Sequence, residues 1–449
     1  MKLISWFNVL KWSPPRILVS GYALIIALGA FLLSQPFASA AGERLPYIDA
    51  LFTAASAATV TGLALVDTGT YFSVTGQSIL LILIQIGGLG FMTMATLIAL
   101  ILRRKITLKE RLILAEAFNQ SSTEGIIRLI RRVVLYSLSI EAIGTLLLAS
   151  RFMYDMPLGK ALYFGLFHTV SLFNNAGFDI FGGFRSLSGY VADPVVNLTC
   201  GLLIITGSLG FIVLADLIDY RKNKRLSLHS KVVLTMTGSL IAVGMLVIFA
   251  FEYTNMKTIG SLDLGGKLWA SFFQSATPRT AGANTIEFTE LRQATTFFVI
   301  LLMFIGASPG STGGGIKTTT FAILIGSAIT MLRGREDVVM FRHRLPKERV
   351  YKALTITLLS IGLLVIVTIL LSIIEGKPFL MTLFEATSAF ATVGLTVGLT
   401  AELSDIGKLI LILTMFAGRV GLLTLAYGLG TRSDDKALYR YPEGKITIG

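Results

Sequence analysis

The stretch "LFTAASAATVTGL" (residues 51–63) decides how the chain is read, because it occurs four times. "LFHTVSLFNNAGF" (166–178), "SFFQSATPRTAGA" (271–283) and "LFEATSAFATVGL" (383–395) align with it without a gap. Phe52, Phe167, Phe272 and Phe384 each stand ten residues before Gly62, Gly177, Gly282 and Gly394. Ser56, Ser171 and Ser388 share one column, with Ala276 in the third copy. Self-similarity at a spacing of just over 100 residues marks a repeat architecture.

The residues around each copy say where the repeats lie. Apolar residues make up 53% of the 449-residue chain and charged residues 14%, against about 25% charged in ordinary globular proteins. Runs such as 17–34, 78–102, 231–253 and 353–374 reach the ~20 residues that a helix needs to cross a bilayer. The first is long and lacks a small-residue cleavage site, so it is read as a retained span and not as a signal peptide. Cys200 is the single cysteine, and His168, His229 and His343 are scattered. Disulfide frameworks and zinc chemistry are therefore not expected.

The net charge of +13 reports topology before it reports nucleic acid. Most of the 39 lysines and arginines cluster in 103–132, 221–231, 333–352 and the two termini, which the positive-inside rule places in the cytoplasm. These segments separate four units, 1–110, 111–225, 226–340 and 341–449. Each unit begins and ends on the same side, so the repeats are parallel around an axis along the membrane normal. Within each, a long apolar run (M1) precedes an amphipathic stretch of ten to twelve residues (P), a small-residue loop and a second apolar run (M2). So short a stretch cannot span and is expected to be a re-entrant half-helix. Irregular backbone at membrane depth survives only where protein buries it or water reaches it. The expected fold is an all-α polytopic membrane protein: four parallel M1-P-M2 repeats in pseudo-four-fold arrangement around a central pore, with eight membrane-spanning helices and four re-entrant pore helices.

The loops suit one kind of chemistry. Rings of backbone carbonyls can replace the hydration shell of a monovalent cation, and glycine lets the backbone turn them toward an axis. Thr59-Val60-Thr61-Gly62, Asn174-Asn175-Ala176-Gly177, Arg279-Thr280-Ala281-Gly282 and Ala391-Thr392-Val393-Gly394 occupy that position. "TVTG" and "TVG" resemble the front of the T-V-G-Y-G filter of potassium channels. Over essentially its whole length the chain resembles the membrane subunits of bacterial Ktr potassium-uptake systems, in the superfamily that also holds Trk and plant HKT transporters. One span before the first P stretch favours the Ktr branch. Glycine at all four filter positions, with no HKT-like serine in the first, favours K+ as the transported ion. The resemblance further implies a homodimer bound, on its cytoplasmic face, to an RCK-type nucleotide-binding regulatory subunit. It implies no organic cofactor in this chain and leaves Na+ dependence open. Basic loops fit that docking face, or topology and anionic lipid contact only. The tail 439–449 is a candidate dimer or regulator contact.

"GASPGSTGGGIKTTT" (306–320) comes close to the phosphate-binding G-x-x-x-x-G-K-[ST] loop, but Ile316 separates Gly315 from Lys317 and no soluble strand–helix unit surrounds it. ATP hydrolysis by this chain is thereby disfavoured, and parallel repeats count against a transporter of inverted-repeat design. The stretch instead interrupts the second helix of unit three at Gly306, Ala307, Ser308, Pro309, Gly310, Ser311, Thr312, Gly313, Gly314 and Gly315. In Ktr-like proteins this place holds an intramembrane loop that obstructs conduction. A movable gate is expected, with Ser308, Ser311 and Thr312 solvating its backbone and Lys317 reaching the inner side or an acidic partner; a static packing defect is the alternative. Arg419, within the fourth M2, is read as a positive barrier below the filter, or else as an ion-pair partner of Glu141 or a cytoplasmic carboxylate. Glu385 either attracts cations at the outer mouth or bonds loop backbone. The phenylalanine column is read as packing.

Overall fold

A computed structural model describes residues 13–102, 106–117 and 125–429. The basic residues 103–105, both termini and the candidate contact at 439–449 lie outside the described residues. The chain is almost entirely helical. Unit one comprises α1 (Pro14–Leu33), α2 (Tyr47–Ala58), α3 (Thr68–Tyr71), α4 (Val74–Leu89) and α5 (Phe91–Ile101). After α6 (Leu108–Ala117) come α7 (Ile126–Phe152), α8 (Leu158–Phe173), α9 (Pro194–Leu209) and α10 (Phe211–Asn223). Unit three holds α11 (Leu228–Glu252), α12 (Leu264–Ala276), α13 (Gln293–Phe304) and α14 (Thr318–Leu332). A two-residue hairpin, β1 (Val339–Met340) and β2 (His343–Arg344), leads to α15 (Lys347–Glu375), α16 (Phe379–Phe390), α17 (Asp405–Val420) and α18 (Leu422–Leu429). The expected unit boundary at 110/111 falls inside α6, and that at 340/341 falls inside the hairpin.

Side-chain caps start several helices. Asp193, Asp263 and Ser404 accept from N–H groups in the first turns of α9, α12 and α17, and Pro14 and Pro194 occupy first-turn positions that need no N–H. The short helices run 12, 16, 13 and 12 residues, so α8 and α12 exceed the expected ten to twelve.

Eight continuous spans are not what forms. Among the described residues α1, α7, α11 and α15 are long and apolar enough to cross a bilayer as single helices. The four M2 positions are broken. α4 and α5 meet at 98°, α9 and α10 at 101°. α13 and α14 are separated by residues 305–317, and α17 stops at Gly421. The run 78–102, expected to be one span, is thus two helices. Gly90 (φ 83°, ψ 133°), Gly210 (92°, 141°) and Gly421 (88°, 134°) share one backbone conformation, which a Cβ would strain. That conformation ends one helix and redirects the chain.

Packing is cyclic. α1, α7, α11 and α15 each lie along the short helix that follows them. Each M2 helix also packs on the short helix of the next unit: α4 on α8, α9 on α12, α13 on α16, and α17 back on α2. Phe52, Phe167 and Phe384 are fully buried in these contacts, whereas in unit three the neighbouring Phe273 takes that place. Exposed leucines and isoleucines such as Leu24, Leu28, Leu138 and Leu146 point outward, as a lipid-facing surface requires. The phenylalanine column packs helices, as read.

In units two, three and four polar ties fasten the end of the long first helix to the start of the helix after the short one. Glu252, fully buried at the end of α11, accepts from Asn255 Nδ2 (2.6 Å), Thr258 Oγ1 (2.7 Å), Arg292 N (3.0 Å) and Thr295 Oγ1 (2.5 Å). Glu375 accepts from Ser404 N (3.2 Å) and Ser404 Oγ (2.7 Å), and Arg151 pairs with Asp193 at 2.5 Å. Glu252→Ala strands four donors at once. A loss on the order of 2 kcal/mol or more is expected, read as a lower melting temperature in detergent than that of the exposed control Glu43→Ala.

Candidate ion-conduction site

Each short helix ends in a loop of one conformation. Val60 and Gly62 have φ of 58° and 95°, Asn175 and Gly177 58° and 68°, Thr280 and Gly282 78° and 76°, Thr392 and Gly394 51° and 90°. Thr61, Ala176, Ala281 and Val393, which lie between, stay outside the left-handed region. Positive φ thus falls on every second residue of each loop. Three of the left-handed residues are β-branched, a conformation that costs on the order of 1–3 kcal/mol each and persists only where surroundings enforce it. Sequence reading assigned the positive φ to the glycines only; the residue two before each glycine shares it.

The serine column supplies part of that enforcement. Ser56 Oγ accepts from Gly62 N at 3.0 Å, and Ser388 Oγ from Gly394 N at 3.1 Å. Ser171 Oγ donates to Phe178 O at 2.7 Å. The third copy has Ala276 in that column, and there Thr277 Oγ1 donates to Ala283 O instead. Beyond the glycines a second tie repeats: His168 Nε2 accepts from Ile180 N (3.5 Å) and Glu385 Oε1 from Val397 N (3.3 Å), twelve residues on in both units. Glu385 also accepts from Thr396 and Thr400 hydroxyls. Its carboxyl group is engaged with the loop that follows Gly394.

The four loops close on one another. A Cβ at Gly62 would strike Ala176 O; at Gly177, Ala281 O; at Gly282, Val393 O; and at Gly394, Thr61 O. Every glycine therefore abuts the carbonyl just before the next unit's glycine, and the fourth returns to the first. On one side this ring opens into a cavity of about 230 Å³ lined by the four glycines with Asp67, Asp179, Asn284 and Glu287.

The loop between α13 and α14 lies across the other side. A Cβ at Gly313 would collide with Thr280 Oγ1, and one at Gly314 with Thr392 Oγ1. Gly314 N donates to Thr392 Oγ1 at 3.0 Å. The loop's first half is seated on the break in unit two. Ser308 N donates to Ser208 O (3.0 Å), Thr312 N and Oγ1 to Gly207 O (3.3 and 3.1 Å), and Phe211 N to Gly310 O (2.9 Å). A Cβ at Gly210 would strike Pro309 O, and one at Gly306 would strike Gly314 O. Within the loop, Ala307 N reaches Gly314 O (3.3 Å), Ser311 Oγ donates to Ser308 O (2.6 Å), and Ser308 Oγ meets Thr318 Oγ1 (2.8 Å). Lys317 Nζ donates to Gly313 O (2.6 Å), folding onto its own loop and not toward an acidic partner.

Arg419 joins this assembly from unit four. Its guanidinium donates to Thr312 O in the loop, to Gly87 O and Gly88 O (3.1 Å) at the end of α4, and to Tyr22 Oη (3.4 Å). The possible ion pair with Glu141 does not form, since that carboxylate bonds Gln85 and Asn174. Arg419, Lys317 and Tyr22 line a second cavity of about 300 Å³, together with Gly313 and Gly315. Arg279 lines neither cavity; it is fully buried, with Thr237 Oγ1 as a partner at 3.3 Å.

Sequence reasoning missed one recurrent motif. G-x-x-G occurs at 87–90, 207–210 and 418–421. A Cβ at Gly87, Gly207 or Gly418 would strike Ala58 O, Phe173 O or Phe390 O, the last carbonyl of the same unit's short helix. The second glycine of each motif makes the break. In unit three the corresponding place reads Gly306-Ala307-Ser308-Pro309, and the loop replaces the bend.

Comparison with known proteins identifies the family. The sequence profile of the TrkH family, described as cation transport protein, matches residues 5–429. Ktr system potassium uptake protein B of Bacillus subtilis is 46% identical over 448 residues, covering 100% of this chain and 99% of that one. The protein of the same name from Vibrio alginolyticus is 41% identical, covering 98% and 96%. Potassium/sodium uptake protein NtpJ of Enterococcus hirae is 38% identical over 98% of both chains. The crystal structure of the potassium transporter TrkH from Vibrio parahaemolyticus shares the fold, with a TM-score of 0.73 over 94% of this chain and 86% of that one at 18% identity. The chain belongs to the TrkH family of cation transport proteins, as a multi-pass membrane protein.

Proposed function

We propose that this chain is the K+-selective, channel-like translocating subunit of a potassium-uptake system, built as four M1-P-M2 repeats around one pore. The observation that carries the reading is the ring of glycines at Gly62, Gly177, Gly282 and Gly394, with a glycine-rich loop laid across one face. In this reading the carbonyls of residues 59–62, 174–177, 280–282 and 392–394 hold dehydrated K+. Residues 306–315 and Lys317 form the gate below them. The names of the relatives, potassium uptake proteins of Ktr systems and a potassium/sodium uptake protein, support K+ as the transported ion. The Ktr resemblance supports a homodimer with cytoplasmic termini and a cytosolic nucleotide-binding regulatory subunit. Coupling to Na+ is the variable for the flux assay to resolve.

Expression should rescue growth at limiting K+ in a strain without uptake systems, and reconstituted protein with its regulator and nucleotide should move Rb+. Absence of both would overturn the reading. Gly282→Ala puts a methyl group against Val393 O at a left-handed φ and should lower the preference for K+ over Na+ by roughly tenfold, about 1.4 kcal/mol, in competition flux.

Arg419 places a fixed positive charge beside the path and also fastens the gate through Thr312 O. Arg419→Ala removes both effects, and K+ flux should rise about tenfold or more. Shortening 309–315 should raise basal flux without nucleotide while the K+ preference holds. Unchanged flux in a folded, inserted protein would make the loop a packing feature and not a gate.

A further inference from the structure

Glu141 is a charged residue type near the middle of the 27-residue helix α7, and it is only 6% exposed. Three elements meet at its carboxyl group. Oε2 accepts from Gln85 Nε2 on α4 at 3.2 Å, and Oε1 accepts from Asn174 Nδ2 at 3.1 Å. Asn174 is the first residue of the second filter loop, and its Nδ2 also faces Gln85 Oε1 (2.8 Å) and Val170 O (2.9 Å). The Asn174 side chain lies against Gly88, where a Cβ would overlap it. The next residue, Asn175, begins the left-handed alternation. Among the described residues no lysine, arginine or histidine pairs with Glu141.

An ionised carboxylate at this depth costs several kcal/mol unless a cation balances it. Here it meets two neutral carboxamides. Each carboxamide donates to one Glu141 oxygen, and neither carries a charge. The bracket therefore supplies two neutral donors and nothing that balances an ionised carboxylate.

We propose that Glu141 is a protonated, uncharged positioning residue: bracketed by Gln85 and Asn174, it fixes the start of the second filter loop and does not attract K+ by charge. The proposal rests on reading that loop as part of the filter. A glutamine at 141 keeps the shape and the donor and removes the ability to ionise. A leucine keeps the bulk and removes the bracket.

The test uses the full-length protein in vesicles, with Rb+ uptake and Na+ competition as readouts. Glu141→Gln should keep half-saturating K+ and K+ preference within about twofold of wild type, while Glu141→Leu loses preference by roughly fivefold or more. The exchange Gln85→Glu with Glu141→Gln, which restores one acid and one amide, should behave like wild type. If Glu141→Gln shifts half-saturating K+ or preference as far as Glu141→Leu, the charge is required and the proposal falls. The infrared difference spectrum of wild type minus Glu141→Gln near neutral pH decides independently of flux. A carboxylic-acid C=O band is expected, and a carboxylate band in its place overturns the proposal. Wild-type protein that moves no K+ but shows the acid band would sink the filter reading and leave the protonated bracket standing.

Discussion

A chain that turns back at membrane depth has no water with which to satisfy its backbone, and this constraint organises the molecule. Every short helix ends in such a turn, so each turn must find its N–H and C=O partners in protein or aim them at a cavity. Side chains of the same unit take some of these groups: Ser56, Ser388 and Thr277 bind the loops that follow their own helices. Neighbouring units take the rest of the space. At Gly62, Gly177, Gly282 and Gly394 only glycine fits, because the next unit's backbone stands where a Cβ would be. The ring is therefore a closed set of mutual contacts, and no unit completes its own loop.

Backbone geometry in the ring is close to four-fold, but the side chains are not. Unit three lacks the column serine, carries buried Arg279 where the others have Thr59, Asn174 and Ala391, and has Pro309 where the others have the breaking glycine. In the same unit the loop at 305–317 stands where the others bend. The loop has little regular structure and many small residues, and its few internal hydrogen bonds are supplemented from outside. It is held by the carbonyls ending α9, by Thr392, and by Arg419 from the neighbouring fourth unit. Such a segment can change position with few apolar contacts to lose, which suits the role proposed for it.

Much of this was legible in the chain. The Phe, Ser and Gly columns located the four turns, and proline with clustered glycine located the third-unit interruption. The bends at Gly90, Gly210 and Gly421 were not read, although G-x-x-G stands in each. An apolar run scores as a span whatever the φ of its glycines, and only close approach to the short-helix carbonyls shows why glycine is there. The partners of the ionisable residues in the spans were open in the sequence. The alternative of a Glu141–Arg419 pair does not form, and each side chain bonds uncharged groups. Lys317 likewise turned to its own loop's carbonyls, the nearest acceptors in a region with few carboxylates.

The sequence by itself determined a multi-pass membrane composition, four copies of one pattern, the position of each glycine turn and the place of the third-copy interruption, because composition, periodicity and repeat spacing are local properties. Only the tertiary structure decided which unit completes which loop, which residues beside the glycines take the left-handed backbone, where Arg419 and Glu141 find partners, and how the third-unit loop is seated. Those outcomes depend on contacts between residues often more than one hundred positions apart. They are selected by the need to satisfy buried polar groups together, a condition that exists only once the ring has closed.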